Sequence, residues 1–209
     1  MWRKIALAVV LLSMVAAGCG ASHSDVAVGG TSSTSVPAAD DCSPAPVTQP
    51  VMPESIPGYT EIDPLTGLHM TGTPTLIDVR SWRLEVTGNV DHPLSLTYDD
   101  LRCLSRVEAA AEMICPGFFV DHATWAGAPI SEILGLAGIR AGASKIGLIA
   151  VDGYSSRIEL SDEVLANGFL AYELEGETLP VLHGFPVRAV FPGKEGNTWV
   201  KWLVGIEVE

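Results

Sequence analysis

The sequence predicts an α+β domain, mixed and strand-rich, with short helices between its strands. Three observations carry this. Short segments alternate apolar and polar side chains, or run continuously apolar, and stop at Gly, Pro or Asp-Gly. Helical signals are confined to brief stretches preceded by capping residues. The regular strand–helix–strand alternation of a parallel doubly wound sheet is missing.

The elements follow in chain order. Arg3 and Lys4 form a short positive start, and residues 5–17 are apolar except for Ser13. That run is too short to span a bilayer comfortably. It ends in Ala16, Ala17, Gly18 and Cys19, which resembles a bacterial lipobox with Cys19 as the lipidated residue. Residues 1–19 are therefore expected to be a lipoprotein signal peptide. Each buried acyl methylene contributes roughly 0.8 kcal/mol, so several chains on one Cys anchor stably. The expected location is exported, lipid-anchored to the outer face of the bacterial cytoplasmic membrane or envelope. Residues 20–55 are rich in Ser, Thr, Pro and Gly and show no sustained period, which predicts a flexible tether. The folded domain is then 56–209.

Within it, 82–88 alternates and stops at Gly88, predicting a strand. Thr97 is a helix N-cap with Asp99 and Asp100 in the first turn, and Tyr98, Leu101 and Leu104 share a face. Residues 107–114 read as a strand ending at Cys115, Pro116 and Gly117. Pro129 opens a helix over 130–137 that Gly138 terminates. Residues 146–151 form a buried strand, Asp152 and Gly153 turn the chain, and 154–160 return. Ser161 starts another short helix. Residues 169–174, 187–191 and 199–208 complete the strands.

The 12 Lys and Arg against 25 Asp and Glu give a net charge of −13. This excludes a nucleic-acid binder, which needs a basic face for phosphates. No Cys-x-x-Cys pair exists to ligate a zinc ribbon or an iron–sulfur cluster, and no Cys-x-x-Cys-His run to attach haem. After Cys19 three cysteines remain in an oxidising compartment, so at least one thiol is left over. Cys115 is the candidate, at the end of a strand and the start of a Pro-Gly loop. Cys42 and Cys103 either pair, or Cys103 is a small buried apolar residue. A second cluster lies over 180–201. It holds Arg188, Lys194 and Lys201 against Glu195 alone, a local reversal of sign around a Gly-rich loop. Such a loop suits a phosphate or another small anion.

Two blocks carry a resemblance. The first is Cys115, Pro116, Gly117, Trp125, Gly127 and Pro129. The second is His183, Gly184, Pro186 and Arg188, with Pro192, Gly193 and then Lys201 thirteen residues after Arg188. Together they resemble the molybdopterin-binding oxidoreductase domain of the sulfite oxidase family, from about Leu68 to Glu209. The resemblance implies a sulfite-oxidase-type fold and a molybdenum–molybdopterin cofactor with one pterin per metal and oxo or hydroxo ligands. It implies that Cys115 is the catalytic thiolate on the metal, where a soft donor suits a two-electron metal. His183 and Arg188 match the pterin-contacting pair. Lys201 matches the pterin-phosphate lysine, with contacts expected at Thr198, Trp199 and Val200, and the resemblance places Asp152 near a further cofactor contact. His69 sits where other members approach the cofactor from the N-terminal side. His122 has no family counterpart and reads as an ordinary loop residue, and Lys194 as a solvated cation.

The chain departs from the family pattern just after Cys115. Sulfite oxidases carry an Arg soon after the metal-binding Cys. Here residues 116–120 bring Phe118 and Phe119, and the next cation is Arg140. The expectation is therefore oxygen-atom transfer on a small neutral or apolar-flanked substrate, such as sulfoxide reduction, instead of sulfite oxidation. Electrons would pass to or from a separate redox partner, a cytochrome or a quinone-linked membrane subunit. The alternative is a cofactor-free ligand-binding lipoprotein module on the same fold, because the Arg3-Lys4 start reads as a signal for unfolded secretion.

Overall fold

Alternation with a period of two decides the faces of the two sheets. The structure, a computed structural model, describes residues 42–209. The expected signal peptide, Cys19 and residues 20–41 of the expected tether lie outside the described residues.

The first sheet has five strands. β1 (Leu84–Gly88) pairs antiparallel with β2 (Leu94–Leu96) and parallel with the C-terminal strand. The chain continues through helix α1 (Tyr98–Arg102), strands β3 (Val107–Cys115) and β4 (Phe119–Pro129), and helix α2 (Ile130–Ala137). β5 (Lys145–Ala150) and β6 (Ser155–Glu159) form a hairpin. Helix α3 (Asp162–Asn167) leads to β7 (Phe169–Leu174), β8 (Glu177–Thr178), β9 (Arg188–Val190) and β10 (Leu203–Val208). The sheet orders are β2-β1-β10-β5-β6 and β3-β4-β7-β8, with β9 paired to β7. This is the strand-rich α+β architecture expected from the sequence.

Each helix is short and capped by the chemistry the sequence offered. Thr97 and Asp100 form a reciprocal capping box on α1. Ser161 accepts from the Val164 amide to start α3, and Gly138 at φ +68° ends α2. One long strand, β4, was not expected; the chain from 119 to 129 runs antiparallel to β3 on one side and β7 on the other. Gly127 is required where β4 passes β7, because a Cβ there would collide with the Leu170 carbonyl oxygen. The apolar faces of both sheets meet in one core that includes Trp82, Leu84, Trp125, Phe169 and Ile206. Trp82 donates its indole N–H to the Leu203 carbonyl at 2.9 Å, locking the start of the domain onto β10.

The chain engages the domain earlier than residue 56. Cys42 is disulfide-bonded to Cys103, just beyond α1, across 61 residues. Gln49 donates to the Ile77 carbonyl at 2.8 Å and accepts from the Val79 amide at 3.1 Å. Arg102 donates to the Ala45 carbonyl at 2.8 Å. Cross-linking a loop of this length is worth about 2–4 kcal/mol, mainly by restricting the unfolded chain. The Cys42→Ser/Cys103→Ser double variant should therefore unfold at lower urea by that amount, with the fold retained in its absence.

Candidate functional site

β3 points its odd residues inward. Ala111, Met113 and Cys115 face the interior while Glu108, Ala110, Glu112 and Ile114 face out. Cys115 is the last residue of the strand, and pairs with Phe119 across a turn closed by the Phe118 amide on the Cys115 carbonyl at 3.0 Å. Among the described residues it is the one free cysteine. Burial pushes its thiol up, and the charge of Asp121 adds to the shift. A positive centre is needed beside it to make the thiolate.

The thiol opens into a cavity of about 270 Å³, whose walls include Met113, Phe119, Asp152, Trp199 and Lys201. Val200 also lines it, and Tyr59 and Tyr154 stand at its exposed side. Of the residues singled out from the sequence, Cys115, Asp152, Trp199, Val200 and Lys201 therefore share one cavity. Thr198 does not line it; its hydroxyl turns back to the Glu195 carbonyl at 2.8 Å in the 3₁₀ turn Gly196–Thr198. His183 and Arg188 lie behind the wall. Phe119 forms part of the wall, whereas Phe118 stands in solvent at the hairpin tip.

Lys201 reaches the cavity from the segment between that 3₁₀ turn and β10. Its ammonium donates to the carbonyls of Thr71 and of Leu182 (3.1 Å) and lies 4.7 Å from the Trp202 ring centre. Gly184 makes room for this packing: at φ +111° it passes beneath Lys201 and Arg188, where a Cβ would approach both within 3.1 Å. Arg188 on β9 is fully buried. Its guanidinium stacks 4.5 Å from the Trp125 ring and 5.9 Å from the Trp199 ring. Its donors reach the Trp199 carbonyl at 3.2 Å, the His183 carbonyl at 3.3 Å and the Met113 sulfur at 3.3 Å, while Nε is buried with no partner. Neither cation has a carboxylate within ion-pair distance among the described residues. Burial pulls Arg188 down to about 9 and Lys201 well below the usual lysine range.

His183 is also buried, in the 3₁₀ turn Val181–His183. Its Nε2 donates to Asp63 Oδ2 at 2.9 Å, with the Thr66 hydroxyl 2.8 Å away. Because a carboxylate only accepts, the proton is assigned to Nε2. Burial drives the imidazole down to about 4 against the pull of Asp63, helped by repulsion from Lys201 and Arg188. Burial opposes the Asp63 charge, but the Leu65 amide, His183 and Thr66 outweigh it and hold its carboxyl below the usual range.

Sequence reasoning passed over a second pair. Asp121 is buried on β4 and accepts from His69 twice, from the ring Nδ1 at 2.6 Å and from the backbone amide at 2.9 Å. The His69 ring lies flat on Phe119 with centroids 4.2 Å apart. This stack fixes the aromatic wall beside Cys115. Asp121 was illegible because β4 was not recognised, and its partner is 52 residues away. The remaining histidines and cations fall outside. His122 faces Glu112 at 3.4 Å on the solvent side, and Lys194 pairs with Glu163 at 2.6 Å.

The profile of the oxidoreductase molybdopterin-binding domain matches residues 69–209. The chain belongs to that family. The uncharacterized oxidoreductase YuiH of Bacillus subtilis is 34% identical over 141 residues, 67% of this chain and 71% of its own. The putative protein-methionine-sulfoxide reductase subunit YedZ1 of Azospira oryzae is 28% identical over 159 residues, 76% of this chain and 60% of its own. The crystal structure of the sulfane dehydrogenase SoxCD of Paracoccus pantotrophus superposes with a TM-score of 0.65 at 24% identity. That match covers 74% of this chain and 44% of that one. Its likeness shows the fold: the sulfite-oxidase type.

The family's cofactor fits the site on this structure's own observations. Among the described residues no three His, Cys, Asp or Glu side chains converge on a metal, so Cys115 would be a single protein donor and other ligands must come with the group. The orphaned Arg188 Nε and two cations without carboxylates suit a group rich in acceptors and negative charge.

Two outcomes test these assignments. An uncompensated buried charge costs several kcal/mol, so Arg188→Met should leave apoprotein stability unchanged or raised while lowering bound molybdenum. Denaturation of the apoprotein and elemental analysis check the two halves separately. For His183, the unfolded chain takes up a proton from about pH 6.5 downward, whereas the folded imidazole stays neutral until about pH 4. The unfolded state binds the proton first, so stability is lost as pH falls between these values. The Tm difference between wild type and His183→Gln should shrink or change sign over that window.

Proposed function

We propose that this protein is an envelope-anchored molybdenum–pterin oxidoreductase that transfers an oxygen atom to or from a small neutral substrate. One observation carries the reading: a free thiol, Cys115, opens into a cavity that also receives Lys201 and is backed by Arg188, a buried cation with an unsatisfied donor. Bound there, molybdenum and its pterin would supply a two-electron exchange of an oxygen atom.

The chain's own residues hold, orient and select. Cys115 would ligate the metal at the end of a rigid strand. Lys201 presents charge to the cofactor from a segment pinned by the Thr71 and Leu182 carbonyls. Arg188 sits between Trp125 and Trp199 and supports the wall electrostatically. Asp152, fixed by the Tyr154 amide at 3.0 Å, supplies an acceptor in the cavity wall. His69 and Asp121 hold Phe119 flat and keep water from the thiol's aromatic side.

Charge argues for a neutral substrate. The cavity is lined by one cation, Lys201, whose ammonium is already bound to carbonyls, and by the carboxylate of Asp152. Among the described residues, a sulfite dianion in this cavity would meet no arginine in the lining. A sulfoxide carries no net charge, and the protein-methionine-sulfoxide reductase name of a relative supports that class. In that reaction the sulfur–oxygen bond breaks, sulfur gains two electrons, and the oxygen leaves as water with two protons. The electrons come from a separate carrier protein, and the lipid anchor at Cys19 would keep the domain at the membrane surface.

Protein purified from its native membrane should contain about one molybdenum per chain, with pterin released on denaturation. Cys115→Ser should fold normally, lose the metal and lose dye-linked sulfoxide reduction. A folded wild-type sample without molybdenum or tungsten would overturn the reading in favour of a cofactor-free binding module.

A further inference from the structure

The period-two alternation that aims Cys115 inward aims another set of residues outward. Ile114 and Val120 are directly opposed on the solvent face of the β3–β4 hairpin, and Phe118 caps its tip. They are 42%, 47% and 70% exposed. An aromatic and two β-branched side chains stand side by side in water, a contiguous apolar patch of the kind that marks interaction sites. The patch is one turn from the metal-binding thiol, since the Phe118 amide binds the Cys115 carbonyl.

Its rim is acidic. Glu108 and Glu112 stand on the outward face of β3, and residues 107–129 contain no Lys or Arg. Glu112 faces only His122, and Glu195 lies beside Ile114 in a parallel bridge without an ion pair among the described residues. The nearest arginine, Arg106, is taken by Glu108 and Glu173. An apolar centre with an uncompensated negative rim complements a protein with an apolar centre and a basic rim. It opposes an anionic lipid surface, which repels carboxylates.

We propose that the tip formed by Ile114, Phe118 and Val120, ringed by Glu112 and Glu195, is the docking surface for a basic electron-carrier protein. The proposal rests on the redox reading of the adjacent site. It goes beyond that reading by naming the surface and the charge of the partner. Apolar contact at Phe118 sets the lifetime of the complex, and the acidic rim sets the encounter rate. Docking here brings the carrier's redox group to the strand end that holds Cys115.

The test uses the full chain in detergent and cytochrome c, a basic haem protein, as the probe. Hydrogen exchange should slow over residues 112–122 when cytochrome c is added. Phe118→Ser should weaken binding about tenfold or more. Glu112→Lys should weaken it at about 0.01 M ionic strength and have little effect at about 1 M, where the Debye length is a few ångströms. Absent protection, protection confined to another surface, or unchanged binding in Phe118→Ser overturns the proposal. So does protection of the hairpin by phosphatidylcholine–phosphatidylglycerol vesicles in place of cytochrome c, which would make the tip a lipid contact. Molybdenum is measured on the same sample. A loaded protein with an unprotected hairpin removes the docking surface alone, and an unloaded one removes the cofactor reading on its own count.

Discussion

Arg188 is buried without a carboxylate, and the surrounding structure is arranged to hold it. Removing a guanidinium from water costs several kcal/mol. Two indole faces return about 0.5–2 kcal/mol each, and carbonyl acceptors at 3.2–3.3 Å are weak partners. The account stays in deficit, and Lys201, also buried, worsens it by like-charge repulsion. A fold seldom keeps such an arrangement for stability, since a well-packed apolar side chain would serve better. An acceptor-rich anion bound in the adjoining cavity would turn the deficit into binding energy. The same field explains His183, which must stay neutral beside these cations and is held so by burial.

The parts of this arrangement differ in how readable they were. Cys115 was legible because a strand pattern ends there at Pro116 and Gly117, and a lone thiol at a strand end has few other uses. His183, Arg188 and Lys201 were legible as a register, a fixed spacing that resembled the family. Their local environments were not. The resemblance implied cofactor contact for His183, but gave no sign that its Nε2 bonds Asp63, 120 residues earlier in a segment without periodic signal. The Trp125 face that covers Arg188 lies on β4, whose run Phe119–Pro129 mixes buried and half-buried positions on both faces. A strand between two neighbours loses the clean alternation of an edge strand, and Pro129 reads as the start of a helix and not as the end of a strand. The early docking of Cys42 and Gln49 was hidden for a different reason: Ser, Thr and Pro composition describes chain stiffness, and says nothing about a disulfide or a side-chain amide that captures two backbone groups.

The boundary elements were legible where the chemistry is local. The Thr97–Asp100 box, Ser161 and Gly138 each act within four residues, so the short helices appear where expected. The last strand is shorter than the apolar run that predicted it. Residues 199–202 are occupied by Trp199, Val200, Lys201 and Trp202, which serve the cavity, and Trp202 takes φ +52°, outside strand geometry. Local rules fail first where a site imposes its own backbone.

The β3–β4 hairpin shows how one period can serve two functions. Along β3 the odd residues build a wall: Ala111, Met113 under Arg188, and Cys115 into the cavity. The even residues build a surface: Glu112 and then Ile114, completed by Val120 across the ladder and Phe118 at the turn. A slip of one residue in register would exchange the sets, burying Glu112 and exposing the thiol. Antiparallel pairing on β4, nine residue pairs from Val107–Gly127 to Cys115–Phe119, excludes that slip. The rigidity that places the Cys115 thiol therefore also places the apolar tip, and the two are set at a fixed separation of one turn.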